Sequence, residues 1–399
     1  MSRASTGQRP EWQGPAVFNF GFRPFFLGAA MWVVLAMVLW LASLSGAIAL
    51  PTRFDPASWH AHEFLFGYLG AVLAGFLLTA VPNWTGRLPL VGWPLAGLFA
   101  LWVAGRLSVL FSALLPAWTA VAVDLAFPIV LGGLILQEIV AGENWRNLIV
   151  LALLAVFTLA NALFHFEALQ DAYAAQGLGL RLGVATAIMM ITVIGGRIIP
   201  TFTRNWLART ERAARPAPPM QRFDKLVVLL SLPVLALWVV WPLERLTGLA
   251  LLVFGLGHVL RLARWQGHHT LSEALVWVLH AAYALIPLGA IVLGLDQLLG
   301  QPGTAGAQHV WMAGAIGAMT LAVMTRATLG HTGQALTADG VTQFIYISLF
   351  ASVLARLLTP LWYEMSYLSG VLWLAAFGGF VMAYGPALVS PDPNETTTP

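Results

Sequence analysis

The chain has 399 residues, of which 59% are hydrophobic and only 9% charged, with a formal net charge of +3. A soluble domain carries roughly 25% charged residues, so there is too little polar surface for an aqueous fold, and the solvent must be lipid. Cysteine is absent, which excludes disulfides, thiolate-held zinc or iron–sulfur sites and covalent haem attachment; any metal must use His, Met or carboxylate ligands.

A spanning helix needs about 20 mostly apolar residues. Such stretches are predicted at approximately 25–50, 63–82, 92–112, 117–139, 147–166, 178–199, 225–243, 246–262, 273–293, 309–328, 341–358 and 369–386. The expected fold is all-α, a polytopic membrane bundle of about 12 transmembrane helices. The first stretch follows a polar arm, residues 1–24, and lacks the cleavage site of a signal peptide, so it counts as a helix. Residues 25–386 then form a single transmembrane domain, in halves 25–203 and 225–386 joined by the basic loop 204–224, and 387–399 form a polar tail.

Basic residues stay on the cytoplasmic side. With both termini cytoplasmic, Arg53, Arg181, Arg245 and Arg356 fall outside, Arg106 lies within the third helix, and the other fifteen of the 20 Lys and Arg are inside. The loop from Arg204 to Lys225, with Pro216, Pro218 and Pro219, reads as a flexible connector touching anionic lipid. Membrane lipid is the expected partner, and nucleic acid is not.

Ionisable residues inside a membrane are costly and usually paired. Arg106 and Asp124 both lie about 10 Å deep, at 1.5 Å of rise per residue, in helices joined by a short turn. They are expected to meet in an ion pair.

The nine histidines are informative by placement. His60 and His62 stand at the outer entrance to the second helix, His165 at the outer end of the fifth and His309 at the outer start of the tenth. Toward the inner side lie His258 near the end of the eighth, His280 about two turns into the ninth and His331 just beyond the tenth. Haem between helices needs one or two axial imidazoles, and copper accepts two or three. His60 and His62 are two apart, so they face different ways on a regular helix and can serve different sites. Glu63 could orient an imidazole, although a first-turn carboxylate also complements the helix dipole. His268 and His269 sit in a polar loop and read as solvated.

Three helix ends look alike: TAVPNWTGR from Thr79, GRIIPTFTRN from Gly196 and VMTRATLGHTGQ from Val323, at the inner ends of the second, sixth and tenth helices. Recurrence every four helices suggests a threefold repeat. It would gather Arg197, Arg204 and Arg326 on one face, and guanidinium suits the carboxylates of haem.

Together, FRPFFL from Phe22, WHAHEFLFGY from Trp59, FLLTAVPNWTGR from Phe76, NALFH from Asn161, GGRIIPTFTRN from Gly195, LHAAYALIPLG from Leu279 and AIGAMTLAVMTRATLGHTGQ from Ala315 resemble NnrS proteins, in the same order over residues 22–334. The resemblance implies a multi-pass protein of the bacterial cell inner membrane, containing haem b and copper, that responds to nitric oxide and protects against nitrosative stress. Nitric oxide is the implied small-molecule ligand. The histidines carried over are His60, His62, His165, His280, His309 and His331; His258 lies outside the pattern. Phe64 stands where methionine is more usual, which counts against a thioether ligand there, and Gln334 where arginine is more usual, which removes one anion contact. Two other readings remain open at this point: a haem-copper oxidoreductase of nitric oxide reductase or quinol oxidase type, and a metal or haem transporter. The sequence does not identify the electron donor.

Overall fold

The computed structural model describes residues 12–300 and 305–391. The first eleven residues of the polar arm, with Arg3 and Arg9, and the last eight of the tail lie outside the described residues. Twelve described helices are long and apolar enough to cross a membrane. They are α1 Phe22–Leu44, α2 Pro56–Thr85, α3 Trp93–Leu110, α4 Ala117–Ala141, α5 Trp145–Leu169, α6 Leu178–Arg209, α7 Arg222–Val240, α8 Arg245–Ala263, α9 Ala274–Leu298, α10 Gly306–His331, α11 Gly340–Leu358 and α12 Met365–Val389.

Two helices outrun the stretches expected for them. α2 begins at Pro56 because Asp55 caps it, its Oδ1 accepting from the amides of Ala57 and Ser58 at 3.0 Å each, with proline at the first helical position. α6 continues past 199 to Arg209 because Trp206 and Leu207 keep an apolar stripe that packs on Val276 of α9. The basic connector is correspondingly short, and it is tied down. Pro216 accepts from Arg204 Nη1 at 3.0 Å, Ala217 donates to the Arg264 carbonyl at 3.0 Å, and Gln221 with Asp224 forms a capping box on α7.

The helices pack as three groups of four arranged in a ring. In each group the first helix lies against the second and the third against the fourth; the fourth then meets the first of the next group, as α4 on α5, α8 on α9 and α12 on α1. The second members, α2, α6 and α10, occupy the centre: 78%, 78% and 72% of their spanning windows are buried, against 67% or less for the others. These are the three helices whose ends look alike in sequence.

Each central helix also carries a wide π turn, at Glu63–Tyr68, Ile191–Gly195 and Val310–Ile316. A π turn disturbs the regular i→i−4 ladder and is frequent at functional sites. Here two carbonyls within such turns accept side-chain donors from neighbouring helices: Gly67 from Trp102 Nε1 at 3.0 Å and Thr192 from Arg261 Nη1 at 2.9 Å. Where the central helices meet, a wholly apolar cavity of about 70 Å³ lies between them, lined by residues such as Leu73, Met190 and Met319.

Candidate metal centre

Chain direction alternates from helix to helix, so the start of α2, the end of α5 and the start of α10 lie at one end of the bundle, here the upper end. His60, His62, His165 and His309 are all there, but they form two sites. A regular helix from Pro56 puts residues two apart on opposite sides, and His60 and His62 part company.

His60 faces α10. Its ring lies 6.4 Å from that of His309, centroid to centroid, with the two planes only 12° apart. Trp40 of α1 stacks on His60 at 4.5 Å and Phe64 packs against it at 4.3 Å. Aromatic cover on this scale fixes the ring and sheds water. His60 Nδ1 is buried without a hydrogen-bond partner, and a buried polar atom left in that way is costly unless something else binds it. The pair opens on a cavity of about 280 Å³ whose lining includes Met37, Met312, Tyr363 and Arg356. Arg356 has no carboxylate partner among the described residues.

His62 faces α4 and α5 and joins a network from which solvent is excluded. Its Nδ1 lies 2.9 Å from Glu63 Oε1, and its Nε2 lies 2.9 Å from Asn161 Oδ1 and 3.3 Å from Asp124 Oδ2. His165 Nε2 approaches the same Asp124 oxygen at 2.9 Å, and Asn161 Nδ2 donates to it at 2.8 Å. The expected ion pair of Arg106 with Asp124 is present. The same guanidinium also donates to both oxygens of Glu63, at 2.8 and 2.9 Å, and Trp32 Nε1 donates to Glu63 Oε2 at 2.8 Å. Gly67 makes this possible: a Cβ there would run into the Arg106 guanidinium.

One ligand atom each from His62, Asp124 and His165 can be chosen so that all three lie within 4.8 Å of one another.

The lower-end residues are placed differently. His258 has both ring nitrogens engaged, Nε2 with Ser231 Oγ at 3.0 Å and Nδ1 with Tyr283 OH at 2.8 Å. Tyr283 also accepts from Arg261 Nη1 at 2.7 Å, and Arg261 Nε pairs with Asp224 Oδ1 at 2.9 Å. His280 Nε2 lies 2.7 Å from Thr203 Oγ1, and its Nδ1 has no partner. His331 is exposed, with its ring 5.3 Å from that of Phe22. Arg197 and Arg204 are exposed, whereas Arg326 lies over the Phe202 ring at 4.2 Å with Nη1 buried and unbonded.

Sequence reasoning brought His62 and Asp124 to the right depth without joining them, and it passed over Arg356, Trp40 and Asn161. A signal for Arg356 existed. It is one of four basic residues on the wrong side of the charge count, and an exception to a topology rule asks for a local reason.

With this geometry in view, the comparison with protein families is informative: the family model described as NnrS protein matches residues 16–392, nearly the whole chain. No curated protein matches it.

Proposed function

The chain belongs to the NnrS family, nitric-oxide-response membrane proteins, and from that premise we propose that it is a haem-copper protein of the bacterial inner membrane that binds or processes nitric oxide and so protects against nitrosative stress. One observation carries the reading. At one end of the bundle, four imidazoles from three helix ends gather in two adjoining sites, one opening on a cavity and one already carrying a carboxylate.

The donor sets fit the two groups. The cavity beside His60 and His309 offers a buried imidazole nitrogen with no partner, a mostly apolar lining and, in Arg356, a guanidinium matched to a carboxylate of haem. The set His62, Asp124 and His165 offers two imidazoles and a carboxylate, which suit copper in a chain without cysteine. Glu63 on His62 Nδ1 supplies the carboxylate–imidazole relay that orients metal-binding histidines. When bound, iron and copper would supply gas coordination and electron exchange. The chain's own residues do the rest: Trp40 and Phe64 exclude water from His60, Arg106 holds Glu63 and Asp124 in place, and Arg356 offsets anionic charge at the cavity.

His280, His331, Arg197, Arg204 and Arg326 form a second candidate group at the lower end, where His280 Nδ1 and Arg326 Nη1 are open. His258 bonds two hydroxyls, of Ser231 and Tyr283, rather than a carboxylate, and acts there as a positioning residue.

Metal and haem analysis of the purified full chain tests the reading. We expect haem b and copper, with copper lost from His62→Ala and His165→Ala; a colourless, metal-free protein would favour a transporter. His60 and His62, two residues apart on α2, set the two sites side by side, and that adjacency favours a haem-copper oxidoreductase as the second reading. Anaerobic consumption of nitric oxide with a quinol donor separates a turnover enzyme from a binder.

A further inference from the structure

We infer that His60 and His309 are the two axial ligands of a single haem, which is therefore six-coordinate, and that any open coordination position for a gas lies on the other metal. This rests on the reading of a haem at the upper cavity and goes beyond it by assigning both axial positions.

The argument is geometric. A metal–imidazole bond is about 2.0–2.1 Å and a ring nitrogen lies about 1.1 Å from its ring centre, so two imidazoles facing each other across one metal have centroids about 6.3 Å apart. The observed separation is 6.4 Å. Direct stacking would bring the rings much closer, as Trp40 does on His60 at 4.5 Å. Nor is the gap a surface accident. Trp40 and Phe64 occupy the surroundings of the His60 ring, the intervening space belongs to the 280 Å³ cavity that both histidines line, and His60 Nδ1 has no protein partner.

The backbone supports the same assignment. His309 directly precedes the π turn Val310–Ile316 of its helix, and His60 lies three residues before the turn Glu63–Tyr68 of its own. The widened turns re-aim the side chains at the helix entrance relative to the rest of the span, and they do so on the two central helices that flank this cavity. Small residues complete the space: Ala57, Ala61, Ala313, Ser369 and Gly370 line it, as a flat ligand between two rings requires. Phe64 packs on the His60 ring and offers no donor of its own, which leaves imidazole as the donor on that side.

A second consequence follows for the copper set. With both axial positions of the haem taken by the chain, the group that meets an incoming diatomic is the metal at His62, Asp124 and His165. His62 is two residues from His60, so the two centres are linked through one turn of α2.

The test is electron paramagnetic resonance and absorbance of the full chain, purified from cells supplied with haem. The ferric protein should be low-spin, and carbon monoxide should leave the ferrous haem spectrum unchanged. His60→Ala and His309→Ala should each lose the low-spin signal and gain carbon monoxide binding, with added imidazole restoring the original spectrum, while His268→Ala, exposed in the loop between α8 and α9, keeps it. A high-spin ferric wild type, or a low-spin signal that survives both substitutions, overturns the assignment; the wild-type measurement decides even if neither variant folds. Absence of haem altogether overturns the functional reading as well, so the two failures are distinguishable.

Discussion

Two buried charge networks in this protein have similar parts and opposite arithmetic. At the lower end, Asp224 meets Arg261, one negative charge against one positive, and His258 completes the set with hydrogen bonds to two hydroxyls. At the upper end, Glu63 and Asp124 share the single guanidinium of Arg106, and two imidazoles complete the set. That leaves one uncompensated negative charge. A charge in a water-free interior must be paired, so the upper network calls for one more positive charge, carried by a proton on an imidazole or by a metal cation. A buried histidine by itself says little about function; the charge count around it says more. The lower network is complete as a device that ties α7, α8 and α9 together, whereas the upper one is complete only when something is added.

The largest effects should come from removing the guanidiniums. Arg106→Met leaves two carboxylates facing one another without compensation, and loss of one partner from a buried ion pair costs about 3–5 kcal/mol. We expect a large drop in the thermal midpoint of the detergent-solubilised protein, read by the fluorescence of its 17 tryptophans. Arg261→Met should cost a comparable amount, but adding Asp224→Leu should recover much of it, because the matched pair can be replaced as a unit. Arg106 has no such partner, since either carboxylate removed alone leaves the other in place. If Arg106→Met were as stable as the wild type, the asymmetry between the networks would be gone.

Intermediate effects should separate the networks by metal. Glu63→Gln keeps the shape of the side chain but removes the charge that orients His62, and loss of such an outer partner costs about 10–100-fold in metal affinity. Competitive titration with a copper chelator measures this directly. In the lower network Ser231→Ala deletes a hydrogen bond to His258, costs about 0.5–1.5 kcal/mol of stability and should leave copper affinity untouched. Equal copper affinities for Glu63→Gln and the wild type would show that Glu63 serves Arg106 alone.

How far the sequence reached depends on the range of the interaction. Twelve spans were legible because apolar run length reports local exposure to lipid, and Arg106 with Asp124 was legible because a short turn makes α3 and α4 neighbours. The start of α2 was hidden: the polar run WHAH reads as a segment outside the membrane, yet Trp59 and His62 are fully buried, His62 with Asn161 and Asp124 of other helices to satisfy it. Glu63 was hidden for the same reason. As a first-turn carboxylate it needs only the helix dipole, and nothing local announces that Arg106, Trp32 and His62 converge on it. The alike ends of α2, α6 and α10 did mark the three helices that pack at the centre, but their π turns carry no separate sequence signal, since a widened turn depends on what the neighbouring helices bring to it.

The smallest expected effect supplies a reference for a carboxylate that meets water. Asp339 caps α11, its Oδ1 accepting from the Thr342 amide at 2.8 Å. Hydrogen bonds from the Thr342 side chain and backbone hold its carboxyl below the usual range. Because the folded-state value is depressed, the stabilisation is complete above the ordinary carboxylate value and is lost as the pH falls through the lowered one. Asp339→Ala should cost about 1 kcal/mol at neutral pH, as for other helix caps, and the gap between variant and wild type should close in acid. A gap that persisted unchanged at low pH would show that the cap owes its stabilisation to something other than the Asp339 charge.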